Sequence, residues 1–286
     1  MSTDTATVTA APVTVGYPTL RLLGSELRLV FGRRRTQALL LVLALAPVLI
    51  GVAIHASRPR PGEGPPFIAQ VTGNGVFLAF TALSALLPLF LPLAVAVVAG
   101  ETLSGEASLG TLRYLLTVPV DRTRLLFVKY VSMVIFCLAA TGVIGAMGMI
   151  MGEALFPAGR MTLLSGTSVS LPEALYRIAL IALYVAAASA ALGAVGLAVS
   201  TLTEVPVGAM AGTVGFAVVS QLLDLVPQLG GLRPYFLTHW WLAFGDIIRQ
   251  PIPTHDIQRG LLSFAVYTVI FTSIAWARFT QRDVTS

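Results

Sequence analysis

An all-α, polytopic membrane fold is predicted by three observations: scarce charge, long uncharged apolar runs, and the recurrence of those runs along the chain. Of 286 residues, 56% are hydrophobic and 11% charged, against about 25% charged in an ordinary soluble domain. A helix needs roughly 20 consecutive apolar residues to cross a bilayer core. Lipid offers no partner to open backbone groups, so only helices and closed barrels span it. The apolar runs here far exceed the roughly 10-residue alternating strands of a barrel, which leaves helices.

Six spans are predicted, at about 37–56, 76–100, 125–152, 175–201, 207–229 and 261–277. Residues 1–17, rich in Thr, Ala and Val, read as a disordered tail without the basic n-region and apolar run of a signal peptide. Residues 18–286 then form a single transmembrane domain. Before the first span, Leu20, Leu23, Leu27, Val30 and Phe31 recur at helical spacing, with Arg21, Ser25, Glu26 and Arg28 on the other side. That pattern predicts an N-terminal amphipathic helix on the inner membrane surface. The Pro/Gly-rich stretch 57–73 reads as an outer loop. Residues 227–253 are semi-apolar but interrupted by Gly230, Gly231 and Pro234, so short re-entrant or interfacial helices are expected, with Trp and Tyr at headgroup level.

Charge supplies the orientation. With the N-terminus inside, eleven of the 18 basic residues fall on the inner side and seven outside. The triplet Arg33–Arg35 directly precedes the first span, where basic residues orient a chain most strongly. Both termini are therefore expected in the cytoplasm of a multi-pass cell-membrane protein. The net charge of +5 is accounted for by these orientation signals rather than by nucleic acid. The single cysteine, Cys137, excludes an intrachain disulfide and a Cys ligand set, and reads as a small packed hydrophobe. His55, His239 and His255 lack ligand spacing, and Met147 and Met151 read as packing, so no metal site is assigned.

The loop 101–124 carries the most information. Leu109, Leu112, Leu115 and Leu116 form one apolar side of a short helix that starts near Gly110 and ends at Pro119. Asp121 is placed to cap the helix that follows. In order, the loop holds Ser104-Gly105-Glu106, Gly110-Thr111-Leu112-Arg113, Leu115-Leu116 and Pro119-Val120. This pattern resembles the permease subunits of ABC-type-two, or type V, exporters. The surface helix, the broken stretch before the last span and the ending Arg278-Phe279-Thr280-Gln281-Arg282-Asp283 are similar to that family as well.

The resemblance implies a permease subunit of an ATP-driven exporter, forming a substrate path with a second permease copy, identical or homologous. It implies that the loop is a coupling helix docking into a cytoplasmic ABC ATPase subunit, through Glu101, Glu106, Gly110, Leu112, Arg113, Leu115 and Leu116. A phosphate-cradling P-loop needs Gly-Lys-Ser/Thr. The only lysine is Lys129, flanked by Val128 and Tyr130. This chain is thus expected to be no enzyme by itself and to hold no cofactor, with ATP and Mg on the partner ATPase.

Gln221 and Asp224 lie three apart on one face of the fifth span and are candidates for a substrate path, since an intramembrane carboxylate is costly. Gly148 with Gly152, and Ser189 with Gly193, have the small-residue spacing of close helix contacts. Two other functions stay open from the residues. An ion-gradient-driven secondary transporter would use midplane ionisable groups, of which Asp224 is one. An intramembrane enzyme would need convergent polar groups at depth, and no His-Glu-x-x-His or Gly-x-Ser-x-Gly motif is present.

Overall fold

The computed structural model describes residues 19–57, 71–72, 74–105, 121–156, 161–163 and 165–281. The expected tail 1–17 and most of the 57–73 loop lie outside the described residues. The protein is helical throughout its core. A first helix, α1 (Thr19–Gly32), turns at Arg33 into α2 (Arg34–Ser57). There follow α3 (Phe77–Leu86), α4 (Phe90–Thr102), α5 (Arg122–Leu155), α6 (Leu171–Leu202), α7 (Pro206–Asp224) and α8 (Thr254–Gln281). Five of these, α2 and α5 to α8, are long and apolar enough to cross a membrane, and the α3–α4 pair makes a sixth crossing if counted as one bent span. The chain is a multi-pass, membrane-embedded helical protein. Between α5 and α6, strands Met161–Thr162 and Ser168–Val169 pair antiparallel as a small hairpin, turning through Gly166 at a positive φ of 81°.

Successive spans run antiparallel, so one end of the bundle gathers the start of α2, the end of α4, the start of α5, the end of α6 and the end of α8. Most of the described basic residues lie there, and we call it the basic end. The centre is α6, with 72% of its apolar window buried within the protein, against 17% for α8 and 22% for α2 and α7. Its composition explains its position. A stretch rich in Ala, Gly and Ser from Ala186 to Ser200 lets neighbouring backbones approach closely, and α4, α5, α7 and α8 all pack on α6. A side chain at Gly193 would collide with Met133 of α5, and one at Gly196 with Ala99 of α4. The outer helices carry apolar faces that meet no protein, such as Leu41, Leu49, Val207, Leu222 and Leu262. Lipid is the solvent that tolerates them.

The second span is not the continuous helix expected over 76–100. It breaks between Leu86 and Phe90, with a 58° bend. The cause is written in the sequence: Pro88 lacks an N–H and its ring crowds the preceding turn. Pro92 adds a second defect, because it has no N–H to give the carbonyl four residues back, that of Pro88. In lipid such a carbonyl needs another donor. Gln221 of α7 supplies it, its side-chain amide donating to Pro88 O at 2.8 Å.

The fifth span is shorter than the expected 207–229. It stops at Asp224 and gives way to three short 3-10 helices, Pro227–Leu229, Arg233–Tyr235 and Ala243–Ile248. Tyr235 is exposed, but Trp240, Trp241 and Phe244 are buried within the protein. Polar anchors fold this segment onto the bundle. Tyr184 Oη donates to Trp240 O at 2.7 Å. Arg177, itself 4% exposed, donates to Ile247 O at 2.6 Å and Arg249 O at 3.0 Å. Tyr184 also meets Phe244 and Phe264 edge-on, at 6.3 and 5.3 Å between ring centroids. Cys137 is fully buried in the core, as its surroundings in the sequence predict.

The small-residue pair in α5 marks the tightest packing. An added Cβ at Gly152 would fall on the carbonyl of Gly75, and one at Gly148 would lie 2.6 Å from Ala79 Cα. Backbone has no rotamer through which to escape, so the helices must separate. Gly152→Ala is expected to lower stability by about 1–3 kcal/mol. Gly142→Ala, whose Cβ would meet nothing within 4 Å, is expected to be neutral or slightly stabilising. Thermal unfolding of the detergent-purified variants checks this, and equal midpoints would refute the close contact.

Candidate functional site

The basic end holds a buried ionic cluster that ties four helices together. Glu101 occupies the last turn of α4, where the helix dipole already concentrates negative charge, and it is 9% exposed. Two arginines at the α1–α2 junction compensate it, one for each carboxylate oxygen. Arg33 Nη1 donates to Oε2 at 2.7 Å and Arg35 Nη1 to Oε1 at 2.9 Å. Alongside, Lys129 of α5, 1% exposed, donates from Nζ to Glu26 Oε1 of α1 at 2.9 Å. The carboxylate of Glu26 thus lies inward, toward α5. A narrow crevice between the pairs is lined by Glu26, Arg33, Thr36, Glu101, Thr102 and Lys129.

This cluster stands where the chain leaves α4 for the loop 106–120. Ser200 of α6 fixes the exit, its Oγ accepting from Leu103 N at 3.2 Å and Ser104 N at 3.0 Å. The hydroxyl of Ser104 turns back onto Gly100 O. The return is fixed as well. Asp121 caps α5, accepting from Thr123 N at 3.1 Å, as its place before that helix predicts. Arg122 Nη1 donates to Thr280 O of α8 at 2.9 Å, and Trp276 Nε1 to Thr123 Oγ1 at 2.9 Å. Both ends of the loop are therefore mounted on the bundle. Of the residues assigned to ATPase coupling, Glu101 is described. Glu106, Gly110, Leu112, Arg113, Leu115 and Leu116 lie outside the described residues.

The substrate-path candidates sit toward the opposite end, each in a polar contact. Asp224 is the last residue of α7. Its Oδ1 lies 2.6 Å from His239 Nδ1 and 3.6 Å from Arg233 Nε, and Arg233 also donates to the Asp224 carbonyl at 2.5 Å. Gln221 bridges to the α3–α4 break. The two residues share one helical face but serve different neighbours. Among the described residues, no group of three or more His, Cys, Asp or Glu gathers in a way that would hold a metal ion.

Sequence reasoning passed over Glu26, Arg33, Arg35, Lys129 and Ser200 as site residues. A signal was present for two of them. Lys129 is the only lysine and falls inside an apolar run, while Glu26 is the only acid in α1. Buried charges of this kind need partners, and each is the other's. Arg33 and Arg35 read as orientation signals, and nothing local to them points to Glu101.

No curated protein matches the chain. One family does match it, over residues 45–285, which takes in every helix from the middle of α2 onward. On the strength of that match, covering most of its length, the chain belongs to the family described as protein of unknown function (DUF2705).

Proposed function

We propose that this chain is the membrane-spanning permease subunit of an ATP-driven exporter, coupled to a separate cytoplasmic ABC ATPase subunit. The ordered pattern Ser104-Gly105-Glu106, Gly110-Thr111-Leu112-Arg113, Leu115-Leu116 and Pro119-Val120 carries the proposal. Its setting supports it. A segment that transmits force must be anchored at both ends, and Glu101, Ser200, Asp121 and Arg122 anchor this one to α1, α2, α6 and α8. A push on the loop would reach the start of α2 through Glu101 and the end of α6 through Ser200.

In this proposal the loop is a coupling helix, α1 lies on the inner membrane surface, and both termini face the cytoplasm of the cell membrane. Two permease copies flank the substrate path, and ATP with Mg binds the partner ATPases. The permease contributes positioning and gating, without bond chemistry of its own. Mild solubilisation of the tagged full-length chain is expected to bring an ABC ATPase with it. The chain stripped of that partner is expected to show no vanadate-sensitive ATP turnover. Sustained turnover by the stripped chain, or recovery of the chain with no ATPase under conditions that retain transport, would overturn the proposal.

A further inference from the structure

We infer that the exposed face of α1 and its junction with α2 is a binding surface for anionic phospholipid headgroups. Arg21, Arg28 and Arg34 are exposed and have no hydrogen-bond or ion-pair partner among the described residues. Arg21 and Arg28 are seven apart, two helical turns, so they project from the same side of α1. Among the described residues of α1, α2 and α4, the acids are engaged elsewhere: Glu26 holds Lys129, and Glu101 holds Arg33 and Arg35. The outward charge of this segment is therefore uniformly positive.

Position identifies the occupant. Arg34 is the first residue of the span-length helix α2, which places it at the level where hydrocarbon gives way to headgroups. Beside the arginines, Leu20 is 80% exposed and Leu29 44%. A cationic helix carrying exposed leucines fits a lipid interface, where the leucines enter the acyl boundary and the guanidiniums meet phosphates. A soluble acidic protein would match the charge but leave the leucines unaccounted for. Arginine's planar fork suits phosphate bidentately. Nothing in this inference depends on the ATPase.

The test uses the full-length protein in a nonionic detergent, titrated with phosphatidylglycerol or phosphatidylcholine and read by native mass spectrometry. A basic residue near an anionic surface contributes about 1 kcal/mol, a factor of about five. Three together give a preference for phosphatidylglycerol on the order of 100-fold at low salt, shrinking at high salt as screening sets in. The triple variant Arg21→Gln, Arg28→Gln, Arg34→Gln is expected to lose most of that preference at an unchanged unfolding midpoint. The corresponding triple Lys variant is expected to keep most of it, and Arg259→Gln, at the opposite end, all of it. Equal retention of the two lipids by the native protein, or an undiminished preference in the triple Gln variant, would overturn the assignment.

Discussion

Glu26→Ala is expected to destabilise the protein by about 3–5 kcal/mol, the cost of removing one partner of a buried ion pair. Lys129 Nζ lies 2.9 Å from Glu26 Oε1, with 1% of the lysine side chain exposed. With the lysine so deeply buried, water compensates little of the lost carboxylate. Replacing the whole pair has a different outcome. In Glu26→Leu with Lys129→Met both charges go and apolar volume remains, a change that is often neutral or stabilising. The double variant should therefore recover most of the loss. Glu173→Ala is a useful contrast. Glu173 is 43% exposed, and Arg177 keeps its bonds to Ile247 O and Arg249 O, so a loss of about 0–1 kcal/mol is expected. Unfolding of the single and double variants in detergent measures the coupling directly. Single and double effects that simply add would show that the pair does not act as one.

The contrast between these pairs shows what the sequence exposes and what it conceals. The apolar stretches locate the five span-length helices and the bent α3–α4 pair because desolvation acts on length and composition, both of which are local. The break at 87–89 is local too, written in Pro88 and Pro92, yet a count of apolar residues passes over it. Hydropathy registers side chains, whereas the defect is a missing backbone donor. Gln221 looks like a polar intruder in its own helix. Its role as donor to Pro88 O appears only when α7 lies beside the break, 133 positions away in the chain. Asp224 is legible as a charge near a boundary, but its partners Arg233 and His239 come from a segment whose fold-back depends on Arg177 and Tyr184 of α6. Trp240 and Trp241 follow the same logic. Composition marks such residues for an interface, and their burial against the bundle appears only once the long-range polar anchors are in place. The cluster at the basic end is the least legible part. Glu26 and Lys129 stand 103 positions apart, and the arginines that serve Glu101 obey an orientation rule that would place them there regardless.

Those anchors lend weight to the loop they frame, and Leu112→Asp is the substitution expected to separate coupling from folding. In the proposed coupling helix, Leu112, Leu115 and Leu116 make up the apolar side, with Arg113 and Glu106 at its edges. If that side seats in a groove of the ATPase, an aspartate there brings an unpaired charge into a dehydrated contact. Docking should weaken by roughly 3 kcal/mol or more, a loss of at least about a hundredfold in affinity. The spans and the mounts at Glu101, Ser200 and Asp121 are untouched, so protein level and membrane insertion should match the native chain. Arg113→Ala should be far milder if Arg113 lies at the rim, because exposed ion pairs contribute about 0–1 kcal/mol. Glu101→Gln offers an independent handle on the same loop. It leaves Leu112, Leu115 and Leu116 in place but weakens the tie to Arg33 and Arg35, so it should retain the ATPase while slowing transport per ATP hydrolysed. Expression, ATPase pull-down and transport, measured together on the three variants, distinguish a lost docking surface from a lost mount. Normal ATPase binding and normal transport by Leu112→Asp would remove the loop from the coupling path and leave the exporter proposal without its main support.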